Sequence, residues 1–150
     1  FHYAYDQGYT HCVTLDADSQ HDPSLIPNFL LIDENVSVAC GRRAFKRPMP
    51  FKRMLSNIIT SKIISLICHT KVYDSQCGYR CYRVRDICKE KFEENGFQFE
   101  TEVLIKHLRK GLRLSHIEIP TIYSNEGSAM HHFHDTLKFI NLIIRTLRKL

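Results

Sequence analysis

The chain has 150 residues, of which 43% are hydrophobic and 25% charged, a composition ordinary for a globular domain with one core. Its formal net charge of +5 favours an anionic partner such as a nucleotide, a phospholipid or a nucleic acid, without choosing among them. No stretch approaches the roughly 20 apolar residues that a membrane-spanning helix needs, so composition gives no support for such a helix.

Six cysteines are scattered along the chain without any Cys-x-x-Cys pair, and several of them fall inside apolar runs. This spacing favours reduced and mostly buried thiols in a cytosolic compartment over a disulfide framework or a zinc site. The six are Cys12, Cys40, Cys68, Cys77, Cys81 and Cys88.

The first half of the chain contains two short apolar runs separated by a helix-forming stretch. The β-branched run at 12–15 predicts a buried strand, and residues 36–40 predict a second one that is closed by Gly41. Between them a helix is expected from a cap at Ser24 to residue 32. A strand, a helix and a strand joined by short links form a βαβ unit, so we expect the two strands to pair in parallel.

Two carboxylates and an amide follow the first strand directly, at Asp16, Asp18 and Gln20. In open α/β sheets, ligands bind outside the carboxyl ends of the strands. These oxygen ligands suit Mg²⁺ or Mn²⁺, ions that also hold substrate phosphates. The alternative interpretation is a solvated turn, which would be the better one for an isolated Asp-x-Asp.

A basic loop with two prolines follows the second strand, over residues 41–53. Such a loop could be a solvated cationic loop or a nucleic-acid patch, but nucleic-acid binders usually interleave stacking aromatics along a basic surface. Phe45 and Phe51 are the only aromatics here, so we expect no nucleic-acid partner. Arginine side chains in such a loop suit phosphate oxygens, because guanidinium groups bind them bidentately.

The second half of the chain predicts helices separated by polar turns. Apolar residues at helical spacing over 54–69 predict a helix that is buried or faces a partner. A surface helix is expected over 84–94 and another helix over 97–110. Residues 112–123 predict an edge strand, where the missing amide hydrogen of Pro120 is tolerated.

Residues 137–150 predict an amphipathic helix whose polar face carries four basic residues and no acidic one. Such a face suits an anionic membrane surface. The alternative is a helix that packs its apolar face on the domain, and both can hold in one molecule. The preceding histidines are expected to be solvated, since three ligands alone leave a structural zinc site incomplete. They are His131, His132 and His134.

Residues 16–23 read Asp-Ala-Asp-Ser-Gln-His-Asp-Pro and resemble the metal-binding stretch of family 2 glycosyltransferases. The likeness is to the dolichyl- and polyprenyl-phosphate sugar transferases in particular, whose pattern is Asp-Ala-Asp-x-Gln-His-x-Pro. Further motifs follow in the family's order: Gly-x-Arg, then Asp-x-x-Ser-Gly-Phe-Arg with Cys77 replacing serine, then Phe-x-x-Glu at Phe99 and Glu102. The family's Gly-x-Ser-Lys stretch lacks its lysine here, where Met130 stands.

The resemblance implies the acceptor-side part of a GT-A domain over residues 1–136, an α/β fold with a mainly parallel mixed sheet flanked by helices. Residues 137–150 would form a separate basic helix. Because the chain opens on Phe1 in the middle of a pattern, we expect the N-terminal nucleotide-binding strands to be absent. The residues implied at the site are metal ligands Asp16, Asp18 and Gln20; phosphate or substrate contacts Arg43, Arg53, Gly78, Tyr79, Arg80 and Ser128; and active-site carboxylates Asp74 and Glu102.

The implied reaction is metal-dependent transfer of a sugar, with inversion, from a nucleotide-sugar to a dolichyl or undecaprenyl phosphate. It would take place at the cytoplasmic membrane face, with the protein bound peripherally, although related enzymes often continue into transmembrane helices. A lipid phosphate is already an anion, so Asp74 would orient the acceptor or act as a weak base. Two alternatives stay open. One is transfer to a soluble or polysaccharide acceptor, which needs a true base at Glu102 or Asp74. The other is a non-enzymatic basic domain that binds membranes or nucleic acid.

Overall fold

A mixed four-stranded sheet organises the chain in a computed structural model that describes residues 1–44, 49–122 and 132–148. The strands lie in the order β1-β3-β2-β4. Strand β3 is antiparallel to both β1 and β2, and β2 is parallel to β4. Their bounds are β1 His11–Thr14, β2 Val36–Arg43, β3 Arg80–Arg83 and β4 Arg113–Ile119.

Six α-helices and one short 3₁₀ helix accompany these strands within the described residues. The 3₁₀ helix spans Pro23–Leu25 and leads into the second α-helix. The α-helices are α1 His2–Asp6, α2 Ile26–Leu30, α3 Phe51–Cys68, α4 Val84–Cys88, α5 Phe97–Arg109 and α6 His132–Arg148.

The predicted parallel pairing of the first two strands is wrong, because β3 lies between them. Cys81 at its centre is the register partner of Val13 on one side and of Ala39 on the other. Strands β1 and β2 therefore run in the same direction without pairing with each other. The sheet is mixed, as expected, but its described pairings are two antiparallel and one parallel, so it is not mainly parallel.

Strand β2 continues past the glycine that was expected to close it. Gly41 donates its N–H to the carbonyl of Tyr79 at 2.8 Å. A Cβ on Gly41 would lie 2.8 Å from Ile119 Cδ1 and 2.9 Å from Cys77 Sγ. The position requires glycine because neighbouring groups approach closely, and the strand continues to Arg43.

Two of the predicted helices are shorter than expected. The cap of the 3₁₀ helix is Asp22, whose side chain accepts from the N–H of Ser24, so Ser24 is not the capping residue. Helix α4 ends at Cys88, well before the predicted limit at residue 94. The longer helices α3 and α5 and the edge strand β4 lie where they were predicted, with Pro120 directly after β4.

Helix α3 buries a face that carries both polar and apolar side chains, Asn57, Ser61, Ile64 and Cys68. Ser61 Oγ accepts from the N–H of Ser75 at 2.9 Å, and Ser65 Oγ accepts from the N–H of Val72 at 2.9 Å. These bonds turn the polar side of the helix toward the following loop. Part of the predicted apolar stripe faces solvent, since Leu66 is 76% exposed, whereas Ile67 packs against a buried cluster.

Two clusters of buried residues cover the two faces of the sheet. One includes Val38, Cys40 and Tyr82 with residues of α3 and α5, and the other includes Ala39, Tyr79 and Phe29 of α2. Four of the six cysteines are buried, as the sequence predicted: Cys40, Cys68, Cys77 and Cys81.

Helix α6 packs part of its apolar side on α5. Leu142 is 2% exposed, and Phe139 and Ile143 pack against the same buried cluster. Leu137 and Ile140 remain nearly half exposed. The alternative in which this helix packs on the domain is therefore observed. Among the described residues, no helix is both long enough and apolar enough to cross a membrane.

Candidate functional site

The residues of three sequence motifs meet where β1 and β2 end and β3 begins. Asp16 lies two residues after β1, Arg43 is the last residue of β2, and Gly78 lies two residues before β3. Because β3 is antiparallel to both neighbours, its first residue lies beside their carboxyl ends. The antiparallel strand thus joins motifs that are about sixty residues apart in the chain.

The carboxylate of Asp16 lies directly against the backbone of Gly78. A Cβ built on Gly78 would lie 2.5 Å from Asp16 Oδ2 and 2.8 Å from both Cγ and Oδ1. Thr14 Oγ1 donates to the carbonyl of Gly78 at 3.2 Å and holds the two segments together. The side chain of Asp16 is 52% exposed, so its carboxylate has the turn on one side and solvent on the other.

The turn that carries the acidic motif is shaped by its own side chains. Asp18 Oδ1 accepts from the N–H of Gln20 at 3.0 Å, and Ser19 adopts a φ of 62°. His21 Nδ1 accepts from the N–H of Asp16 at 3.1 Å, which assigns the ring proton to Nε2. Burial lowers the pKa of His21, with Asp16 opposing the shift. The neutral imidazole thus fixes the backbone at Asp16. His21 is part of the sequence motif, but the motif alone indicated no role for it.

The oxygen atoms of this turn fit a hard divalent cation. Asp16 and Asp18 supply carboxylates and Gln20 an amide oxygen, the ligand type that Mg²⁺ and Mn²⁺ prefer. Residues 1–44, 49–122 and 132–148 contain no group of three or more His, Cys, Asp or Glu side chains placed to hold a metal. An ion at this turn would therefore depend on substrate phosphates and water for its remaining ligands.

Asp74 is fully buried and its carboxylate holds the guanidinium of Arg43. Arg43 Nε donates to Asp74 Oδ2 at 2.7 Å, and Arg43 Nη2 donates to Oδ1 at 3.0 Å. The N–H of Gln76 also donates to Oδ1, at 3.3 Å. Because Asp74 already accepts these bonds, the arrangement favours a role in orienting Arg43 over proton abstraction.

Two motif residues that the resemblance connects with substrate are enclosed by protein. Tyr79 is fully buried, stacks on Phe29 with ring centroids 4.4 Å apart, and donates its hydroxyl to the carbonyl of Asp22 at 3.1 Å. Arg80 is also fully buried, and its guanidinium donates to three main-chain carbonyls. Both surroundings favour structural roles over substrate contact. Burial also raises the pKa of the neighbouring Cys77 thiol to about 12.

Two acids at the start of α5 face different surroundings. Glu102 is 3% exposed, accepts from the N–H groups of Glu93 and Glu94 at 2.9 and 2.8 Å, and pairs with Lys106 at 2.8 Å. Glu100 lies 3.4 Å from Arg80 with its side chain 24% exposed. Burial raises the pKa of Glu100, and Asp16 adds to the shift. The structure therefore brings Glu100 rather than Glu102 toward the acidic turn.

The remaining predicted residues are only partly described. Arg53 is the third residue of α3 and is half-buried. Ser128 and His131 lie outside the described residues. His132 and His134 belong to α6, and their side chains are outside the description as well.

An α/β domain with carboxylates and an oriented arginine at its strand ends is consistent with part of a nucleotide-sugar transferase. Over 134 residues the chain is 25% identical to the undecaprenyl-phosphate mannosyltransferase of Micrococcus luteus, covering 82% of this chain and 53% of that protein. Over 135 residues it is 30% identical to the UDP-N-acetylglucosamine–dolichyl-phosphate N-acetylglucosaminyltransferase of Methanococcus voltae, covering 84% of this chain and 53% of that protein.

Both relatives are named as glycosyltransferases that act on a polyprenyl phosphate, which confirms the resemblance drawn from the motifs. The chain spans about half the length of these curated relatives. Comparison with models of known protein families gave no match.

Proposed function

We propose that the protein containing this chain is a family 2 glycosyltransferase of the GT-A type. It would move a sugar from a nucleotide-sugar to a polyprenyl phosphate, such as dolichyl or undecaprenyl phosphate, with inversion at the anomeric carbon. The names of the two relatives support the general reaction. The observation that carries the proposal is the meeting of Asp16, Gly78 and the Arg43–Asp74 pair at one end of the sheet.

Each residue of the proposed site has a task that its chemistry can perform. Asp16, Asp18 and Gln20 would hold Mg²⁺ or Mn²⁺, which supplies positive charge to the leaving nucleoside diphosphate. Arg43 would contact a phosphate of donor or acceptor, oriented by Asp74. Further contacts are proposed for Arg53, Gly78 and Ser128, whereas the enclosed Tyr79, Arg80 and Glu102 would support the site from within the protein.

The burial and hydrogen bonding of Asp74 and Glu102 favour a phosphate acceptor over a hydroxyl acceptor. A hydroxyl acceptor needs a general base to remove its proton. The two carboxylates predicted for that task, Asp74 and Glu102, are buried and accept several hydrogen bonds each. A polyprenyl phosphate is an anion near neutral pH and attacks without such a base.

The proposed location is the cytoplasmic face of a membrane, with the domain bound peripherally. Helix α6 carries exposed Lys138 and Arg148 next to partly exposed Leu137 and Ile140. Basic and apolar side chains combined in this way suit an anionic lipid surface.

The test uses the complete reading frame that contains this chain, expressed in membranes. The membranes receive a panel of labelled nucleotide-sugars with Mg²⁺ or Mn²⁺, and labelled lipid is extracted. We expect label in a polyprenyl-phosphate sugar, abolished by EDTA and by Asp16→Asn but not by the control Asp6→Asn on exposed α1.

Other outcomes would contradict the proposal in different ways. Label that appears only in a water-soluble or polymeric product would keep a transferase and change the acceptor. Absence of transfer from every donor, together with lipid binding that is indifferent to Asp16→Asn, would indicate a non-enzymatic membrane-binding domain.

A further inference from the structure

The guanidinium of Arg80 lies inside the turn of residues 75–77. This turn joins the two halves of the proposed site, one at Asp16 and the other at Arg43. Its Nε donates to the carbonyl of Cys77 at 2.7 Å, its Nη2 to that of Ser75 at 2.7 Å, and its Nη1 to that of Glu100 at 2.8 Å. The side chain is fully buried. Since two of its nitrogens donate to carbonyls of the turn and the third to a carbonyl of α5, the guanidinium fixes the shape of the turn and ties it to α5.

The two ends of this turn contact the two halves of the site. Asp74, just before the turn, holds the guanidinium of Arg43. Gly78, just after it, lies against the carboxylate of Asp16. Any shift of the turn therefore moves the proposed phosphate-binding group and the proposed metal-binding group together.

The positive charge buried inside the turn has a partner on α5. Glu100 Oε2 lies 3.4 Å from Arg80 Nη2. A buried cation without a nearby anion is strongly unfavourable, so the carboxylate allows the guanidinium to occupy this position. Glu100 also interacts electrostatically with Asp16 and Arg43, the charged groups of the two halves of the site.

We propose that Arg80 is a positioning residue, with Glu100 as its counter-ion, that fixes the carboxylate of Asp16 relative to the guanidinium of Arg43. The inference rests on the proposed sugar transfer, and it assigns Arg80 a task other than touching substrate. Every contact of the Arg80 side chain described above is with protein. The groups proposed to bind the metal ion and the phosphate belong to Asp16 and Arg43, which contact Gly78 and Asp74 at the two ends of the turn.

The test compares Arg80→Lys with Arg83→Lys in the complete protein. Lysine keeps the charge beside Glu100, but a single nitrogen does not reproduce the planar fork that reaches three carbonyls. Arg83 is a matched control on the same strand. It is 9% exposed and donates to Asp86 at 2.6 Å and to the carbonyl of Glu34 at 3.0 Å, without contacting the turn.

We expect kcat of Arg80→Lys to fall by about 100-fold, the effect of a misplacement on the order of 1 Å. The KM for the lipid phosphate should stay close to the parent value, whereas a residue that touches the phosphate would change KM. Arg83→Lys should lower stability while leaving kcat within a few-fold of the parent.

A double variant separates positioning from a merely structural role. Gly78→Ala displaces Asp16 directly, so Arg80→Lys should cost much less activity in that background, and the two effects should not add. Additive effects, or equal losses of kcat in Arg80→Lys and Arg83→Lys, would overturn the inference. If Arg80→Lys does not fold, Glu100→Gln removes the counter-ion and should give the same split between kcat and KM. A parent protein without transferase activity contradicts the proposed function, whereas an active parent with an unchanged Arg80→Lys contradicts only this inference.

Discussion

Replacing Gly78 by alanine should lower the proposed transferase activity about 100-fold while leaving the fold intact. The added Cβ would lie 2.5 Å from Asp16 Oδ2, whereas carbon and oxygen atoms in contact are ordinarily about 3.3 Å apart. The carboxylate must therefore move by about 0.8 Å. A displacement of about 1 Å at a reacting site costs about 100-fold in rate, or about 2.7 kcal/mol of transition-state stabilisation.

The free energy of unfolding should change little in the same variant. Asp16 is half exposed and can rotate its carboxylate toward solvent. Gly78 is not among the glycines with positive φ, so alanine introduces no backbone strain there. The smaller conformational freedom of alanine in the unfolded chain contributes about 0.4–1 kcal/mol in favour of the fold.

Gly111→Ala is the matched control, because its effects should be the reverse. Gly111 has a φ of 74° and nothing within 4 Å of the position that a Cβ would take, so alanine should cost about 1–2 kcal/mol of stability without touching the site. Urea unfolding and transferase kinetics of both variants measure the two effects separately. Parent-like kcat/KM in a folded Gly78→Ala protein would refute the contact between Gly78 and Asp16 as a determinant of activity.

Three further predictions concern acid stability, thiol reactivity and α6. Burial, with a smaller effect of Arg42, lowers the pKa of His116 from 6.5 to about 4. The free energy of unfolding should be unaffected by His116 above pH 6.5 and should fall between pH 6.5 and 4, because the unfolded chain binds the proton first. Unfolding curves of His116→Gln should show a smaller fall. Iodoacetamide at pH 8 should modify half-exposed Cys88 and spare Cys77, whose pKa is about 12; mass spectrometry showing fast labelling of Cys77 in the folded chain would contradict its burial. Leu142→Ala should cost about 2–4 kcal/mol of stability and Ile140→Ala very little; equal effects would argue against the packing of α6 on α5.

The sequence predicted the acidic turn, the long helices and the edge strand because each has a strong local signal. Strand β3 escaped prediction, since Arg-Cys-Tyr-Arg at 80–83 is buried although it has charged residues at both ends. Hydropathy does not reveal that main-chain carbonyls satisfy the buried guanidinium of Arg80.

Long-range contacts decided the other differences. The buried face of α3 includes Ser61, which accepts a hydrogen bond from the loop that follows the helix, a contact that the helical pattern alone does not contain. Glu100 and Glu102 are two residues apart on one helix and therefore point in different directions. The spacing of the motif does not tell which of them faces the acidic turn, and only the docked position of α5 does.

The shared pairing of Cys81 with Val13 and with Ala39 has a consequence for how the site tolerates changes in chain length. A slip of β3 by one residue would exchange the faces of all its side chains against both neighbours at once. One inserted or deleted residue between Gly78 and Arg83 should therefore abolish the site. Surface loops remote from this strand should accept insertions at little cost, because closing a longer loop adds only a small entropy term.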